Sequence, residues 1–122
     1  MLRWTCPLHY FRRTATCDTE IAGTAIKAGD KVVMLYSSAN FDESVFEQAM
    51  TFDIRRQNNP HMAFGHGIHL CLGANLARME ARIFFEEFFK NFSAIEETAP
   101  PRYIRSNSIH AFKSMPVKLS VR

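Results

Sequence analysis

The stretch that most restricts the fold is "ANLARMEARIFFEEFFKNF", Ala74 to Phe92. Apolar side chains stand at Leu76, Met79, Ile83 and Phe84, then at Phe85, Phe88, Phe89 and Phe92. Steps of three and four residues are the period of an α-helix, and here they fall on more than one face. At about 1.5 Å per residue the segment predicts a helix of roughly 28 Å. A helix apolar around so much of its girth belongs inside a large body. The 11 phenylalanines among 122 residues point the same way, to a core made for a bulky apolar partner or a larger protein.

Composition sets the outer limits. A chain of 122 residues falls within one domain, and such a chain buries roughly two-thirds of its unfolded surface. A hydrophobic share of 47% makes it globular rather than disordered. The net charge of +3 is mild, and no Lys/Arg run alternates with aromatics, which excludes a nucleic-acid partner. Cys6, Cys17 and Cys71 are odd in number and irregularly spaced, so no disulfide framework is implied and a reduced, cytoplasmic setting follows. "MLRWTCPLHYFRR" lacks the layout of a signal peptide, and no window approaches the length of an uncharged apolar membrane span. The first residues, "MLRW", open in a helical, apolar register with no cap before them.

Between that opening and the long helix the pattern is broken. "YFRRTAT", Tyr10 to Thr16, favours strand, and short β pieces follow, punctuated at "CDTE", Gly23 and "KAGD". "KVVMLY", Lys31 to Tyr36, reads as a buried strand because its run is apolar and β-branched. "SSANFDESVFEQA" predicts one or two helical turns capped by Asn40 or Asp42. "MTFDIRRQNNPHM", Met50 to Met62, is polar and stopped by proline, and reads as irregular coil. "APPRY" ends any continuation of the long helix, and the tail alternates weakly, predicting a hairpin that ends in "VKLSV". No repeat, linker or low-complexity segment interrupts the chain.

Just before the helix stands "FGHGIHLCLG", Phe64 to Gly73. A cysteine here is open to several readings. It is an ordinary buried thiol in a glycine-rich turn. It is part of a dinucleotide loop, although no strand precedes Gly65 and Gly67 and the third glycine is misplaced. It is a zinc ligand with His61, His66 and His69, against the two spaced pairs that structural zinc prefers. It is a nucleophile favoured by a helix N-terminus, without a visible acid–base partner. Or it is the thiolate of a heme iron, which needs backbone lying flat beneath a porphyrin, as Gly65, Gly67 and Gly73 allow, and an aromatic wall such as Phe64.

The loop resembles F-G-x-G-x-H-x-C-x-G, the heme-binding signature of the cytochrome P-450 superfamily, at every fixed position. The likeness extends through essentially the whole chain, residues 1–122, which resembles a single partial domain: the C-terminal third of a bacterial, soluble member. It implies a mixed fold, mainly α with small β-sheets. In order these are the end of the E-x-x-R helix, β hairpins, a coil, the Cys heme loop, a long helix and a C-terminal hairpin.

By that resemblance Cys71 is the axial ligand of heme b (iron protoporphyrin IX), and His69 and Arg13 hydrogen-bond its propionates. Phe64, Gly65, Gly67 and Gly73 line the same loop, while Arg12 points to the opposite face of its strand from Arg13. Arg3 and Arg56 fall on the two arginines of a Glu–Arg–Arg triad, with the glutamate placed immediately before Met1, so the chain is expected to begin one residue too late to include it. Leu8, His9, Ser108 and Ile109 face substrate.

The implied activity is a monooxygenase that inserts one oxygen atom of O2 into a C–H bond of a hydrophobic small molecule. "RRTATCDTEIAG" and "RSNSIHAFKSMPVKL" resemble members that act on sterol side chains and branched lipids. Electrons come from a ferredoxin-type donor, steered by Arg78, Arg82 and Lys90. No catalytic residue beyond the heme ligand is assigned in this stretch. By itself it is expected to be an inactive, weak heme binder that self-associates through its apolar helix. The rival expectation is a truncated, non-catalytic heme- or metal-binding fragment.

Overall fold

In the computed structural model, which describes residues 1–122, the chain divides between Ala63 and Phe64 into two units. The first, Met1–Ala63, begins with a single helical turn, α1 (Leu2–Thr5). Cys6 ends it in a left-handed conformation (φ 34°), closing its N–H onto the Leu2 carbonyl at 3.0 Å. That conformation is unfavourable for any residue with a Cβ. It is held because Cys6 is packed into a small core with Tyr36 and Ala63, flanked by Leu2, Met34 and Met62.

Strand β1 (Tyr10–Thr14) pairs antiparallel with β4 (Lys31–Leu35), setting Arg13 opposite Val32. Between them β2 (Thr19–Ile21) and β3 (Thr24–Ile26) form a hairpin. Ala22 and Gly23 both turn with positive φ (49° and 77°), which is what a two-residue turn needs to match the twist of its strands. The Asp18 carboxylate ties down the far end, accepting from Lys27 Nζ at 2.7 Å and from the Ala28 N–H at 2.9 Å.

Two expectations for this unit change. Lys31–Leu35 is a strand, but Val33 and Leu35 are half exposed, so it is not of the buried kind. It lies in a two-stranded ribbon, and a ribbon alone cannot cover both faces of a strand. Helix α2 is one turn, Tyr36–Ala39, and Asn40 ends it rather than starting a following one. Asp42 does cap the next turn: its Oδ1 accepts from the Ser44 N–H at 2.9 Å, and the Val45 and Phe46 N–H groups return to its carbonyl. Residues 50–62 contain no helix or strand.

The second unit, Phe64–Arg122, opens with the glycine-rich loop, which includes a 3-10 turn at Gly67–His69. Helix α3 (Ala74–Asn91) follows, one residue short of the predicted end, because Phe92 adopts extended geometry and starts β5 (Phe92–Glu97). Then come β6 (Arg102–Tyr103), β7 (Phe112–Ser114) and β8 (Val117–Val121). "VKLSV" is a strand as expected, but the ribbon it closes is wider than the tail: β8 pairs with β5, and β6 with β7 between them. Only Ala74 of α3 is buried. Phe84, Phe85, Phe88, Phe89 and Phe92 run down the helix in ring contact, from 5.2 to 6.2 Å between centroids.

Candidate functional site

The loop from Phe64 to Gly73 owes its shape to two of its glycines. Gly65 and Gly67 take left-handed backbone (φ 71° and 65°), where a side chain would be strained. Beside Gly67 a Cβ would meet nothing within 4 Å, so this glycine is required by conformation and leaves open space above it. Gly73 differs. Its φ is −84°, it caps α3, and a Cβ there would sit 3.9 Å from the Cys71 sulfur, an ordinary contact. Positive φ therefore occurs at Gly65 and Gly67 and not at Gly73.

Cys71 is exposed, three residues before α3 begins. Its backbone is fixed at both ends: its N–H donates to the Phe64 carbonyl at 2.9 Å, and its carbonyl accepts from the Ala74 N–H at 3.1 Å. The loop is thereby drawn into a closed bend with the thiol on its outside. Ile68 and Leu72, 97% and 104% exposed, project from the same bend. His69 ends the 3-10 turn, and the Phe64 ring lies 4.7 Å from the Arg78 guanidinium, a cation–π contact.

In the other unit, Arg13 is half-buried on β1 and Arg12 exposed, on opposite faces as the strand period requires. The Arg13 guanidinium donates to the Arg12 carbonyl at 3.1 Å. Leu8 and His9 bridge α1 to β1, with the Leu8 carbonyl accepting from the Cys6 thiol at 3.3 Å and the His9 carbonyl from the Ser37 N–H at 3.3 Å. Ser108 and Ile109, in the second unit, are gathered by the Ser106 hydroxyl, which accepts both their N–H groups.

Arg3 and Arg56 are brought together. Arg3 is 4% exposed and donates to the carbonyls of Asn40 (2.6 Å), Ala49 (3.0 Å) and Thr51 (3.5 Å). Arg56 donates to those of Glu47 (2.8 Å), Gln48 (3.2 Å) and, again, Thr51 (3.5 Å). Two guanidiniums therefore share one acceptor. Burial first, and the charge of Arg56 second, lower the Arg3 pKa from its ordinary value. The Arg3 guanidinium also lies 4.9 Å from the Phe46 ring and 5.3 Å from that of Phe41. Main-chain dipoles and aromatic faces do here what a carboxylate does in an ion pair.

The helix cations are engaged locally. Lys90 pairs with Glu87 at 2.6 Å and Arg82 with Glu86 at 3.8 Å, both exposed, and Arg78 lies on Phe64. No group of three or more His, Cys, Asp or Glu side chains is gathered at metal-binding distance. No helix is long and apolar enough to cross a membrane. One residue that the pattern marked only as a cap proves to be a buried junction: Asn40 is 0% exposed, and its Oδ1 accepts from the Met62 N–H at 2.7 Å. A short polar residue amid "SSANF" is the only local signal of it.

Known proteins place these elements in one family. The sequence model described as Cytochrome P450 matches residues 1–121. A steroid C26-monooxygenase of Rhodococcus jostii is 48% identical across 96% of this chain and 25% of its own length. A methyl-branched lipid omega-hydroxylase of Mycobacterium tuberculosis is 47% identical across 98% of this chain and 28% of its own. The crystal structure of a versatile cytochrome P-450 enzyme from Bacillus subtilis superposes with a TM-score of 0.90 at 47% identity, over 96% of this chain and 32% of that one. The chain thus spans 25–28% of the length of those two curated relatives. It belongs to the cytochrome P-450 family.

Proposed function

We propose that residues 1–122 form one partial domain, the heme-binding floor of a cytochrome P-450 monooxygenase, with Cys71 as the iron ligand. The single observation that carries this reading is the outward-facing Cys71 thiol on a bend whose left-handed Gly67 leaves its outer side open. A flat macrocycle held by one thiolate needs that combination of exposed sulfur and unobstructed backbone. The donor set fits the group. Heme b, when bound, supplies the activation of O2 and its transfer into a C–H bond.

The remaining roles belong to this chain's own residues. His69 and Arg13 hydrogen-bond the heme propionates. Phe64, backed by Arg78, keeps water from the sulfur, and Gly65, Gly67 and Gly73 let the loop approach the ring. Arg3 and Arg56 brace the segment 47–51 through its carbonyls, a structural rather than a chemical task. Leu8, His9, Ser108 and Ile109 line the substrate side. The substrate is a hydrophobic small molecule of the sterol or branched-lipid class, the electron donor is a ferredoxin, and the setting is the cytoplasm.

The test is spectroscopic and uses the whole protein. After reduction and addition of CO, the wild type shows the strongly red-shifted Soret band of thiolate ligation, and Cys71→Ser loses it. His69→Ala and Arg13→Ala weaken heme retention without moving that band. A band typical of imidazole ligation in the folded wild type would defeat the assignment of Cys71. The rival reading, a non-catalytic heme binder, predicts bound heme without substrate hydroxylation when a ferredoxin system is supplied.

A further inference from the structure

Asn40 has no part in the roles above, yet it joins three separate segments of the first unit, at Arg3, Cys6 and Met62. It is completely buried at the end of α2. Its main-chain carbonyl accepts from Arg3 at 2.6 Å, and its side-chain oxygen accepts from the Met62 N–H at 2.7 Å. Its amide nitrogen is buried without a hydrogen bond of ordinary geometry, although it lies close enough to Cys6 to draw that thiol's pKa down against the burial that raises it. A buried amide with an unpaired N–H is unfavourable, so the oxygen's bond to Met62 must compensate or serve a purpose.

The purpose follows from where Met62 stands. It closes residues 50–62, which have no helix or strand to hold them, and Ala63 after it is buried with Cys6 and Tyr36. The next residue is Phe64, whose carbonyl accepts the Cys71 N–H at 2.9 Å. Only two positions along the chain separate the residue that Asn40 grips, Met62, from the residue that grips Cys71, Phe64. A side chain reaching across 22 residues to an otherwise irregular segment fixes a direction that local sequence cannot.

We propose that Asn40 is a positioning residue for Cys71: its amide oxygen holds Met62, and so sets the backbone that presents the Phe64 carbonyl to the Cys71 N–H. The inference rests on the reading of Cys71 as iron ligand for its functional meaning, and on the hydrogen bonds alone for its structural one. Asn40→Leu keeps the branched shape at a somewhat larger volume and removes the acceptor. Asn40→Asp keeps the acceptor, and the Arg3 guanidinium bound to the same residue's carbonyl offsets the added charge.

Amide hydrogen exchange of the whole protein, with and without heme, reads the structural part. Asn40→Leu should speed exchange at both Met62 and Cys71 by about tenfold, the loss of one buried hydrogen bond. Asn40→Asp should restore both. In the CO-treated ferrous protein, Asn40→Leu should move part of the heme from the thiolate band to a less shifted one, and Asn40→Asp should return it. Should Asn40→Leu fail to fold, Asn40→Ser, whose hydroxyl is too short to reach Met62, carries the same measurements. Unchanged exchange at Cys71 while Met62 is freed, or an undiminished thiolate band with only a lower melting point, overturns the proposal. A wild type with no thiolate band overturns the ligand reading instead, and the Cys71 exchange rate then still decides whether Asn40 sets that backbone.

Discussion

In the first unit a full positive charge, Arg3, is buried to 4% exposure among main-chain carbonyls and aromatic rings, while in the second a thiol and a ladder of phenylalanines stand in the open. Burying a charge is expensive unless every donor is met, and Arg3 meets three carbonyls with two of its nitrogens. Exposing apolar rings is also unfavourable, and Phe84 and Phe89 are 60% and 58% exposed with only each other's neighbours for cover. The first region meets its buried charge internally, with the Asn40 amide nitrogen and Arg56 Nε left unpartnered. The second has its chemistry turned outward. Substitutions in the first should therefore show as stability, and substitutions in the second as ligation.

The largest effect expected is from Arg3→Leu. Hydrogen bonds to a charged group contribute about 1.5–3 kcal/mol, and the freed carbonyls of Asn40 and Ala49 would be left buried, so a loss of about 3 kcal/mol or more is expected. A urea melt followed by circular dichroism measures it. A loss below about 1 kcal/mol would mean that water takes over those carbonyls and that the cluster is not a closed one.

The glycines of the loop sharpen the comparison inside one short segment. Gly67→Ala meets no atom, yet φ of 65° strains any side chain, so it should cost about 1 kcal/mol or slightly more. Gly73→Ala, at φ −84° and in ordinary contact with the Cys71 sulfur, should change stability by less than about 0.5 kcal/mol. Equal effects in thermal melts would show that space, not backbone conformation, governs the loop. Cys71→Ser belongs with Gly73→Ala: an exposed thiol supports little packing, and the melt should stay within about 0.5 kcal/mol while the thiolate band vanishes.

These contrasts also show what the sequence could disclose. Helix α3 was legible to within one residue because its apolar period is long and strong, and a period needs no knowledge of the rest of the chain. A permissive loop was legible because three glycines cluster there, but only the structure separates Gly65 and Gly67, which are left-handed, from Gly73, which serves as a cap. Pairings were not legible. β5 went unread because "FSAIEE" mixes charge with apolar residues and takes its partner, β8, from the other end of the unit. The apolar run of β4 predicted burial, yet nothing in "KVVML" says whether a second face is covered. Arg3 and Arg56 were joined by resemblance to a family, since two isolated arginines read locally as surface charges. Asn40 shows the limit most clearly: its partners lie 37 and 22 residues away, beyond any window over which a pattern is read.

The smallest effect tests an exposed contact of the first unit, the Asp18–Lys27 pair, against its buried one. Asp18 accepts from the Lys27 ammonium at 2.7 Å and from the Ala28 N–H, and these two, the ammonium foremost, hold its carboxyl pKa below the ordinary value of about 3.9. A lowered folded pKa means that the unfolded chain takes up the proton first as pH falls. The contribution is therefore complete above the ordinary carboxylate pKa and is lost as pH drops through the lower, folded one. Because both side chains are largely solvated, water and salt screen the pair, and Lys27→Met should leave the neutral-pH melting point nearly unmoved. The titration itself should move. Followed by carboxyl carbon NMR, the Asp18 midpoint should rise in Lys27→Met toward that of an unpaired aspartate, yet stay below it, because the Ala28 N–H still donates. An Asp18 midpoint identical in the two proteins would assign the lowering to the backbone donor alone. The exposed contact would then follow the same rule as buried Arg3, with main-chain groups rather than paired side chains setting the electrostatics of this unit.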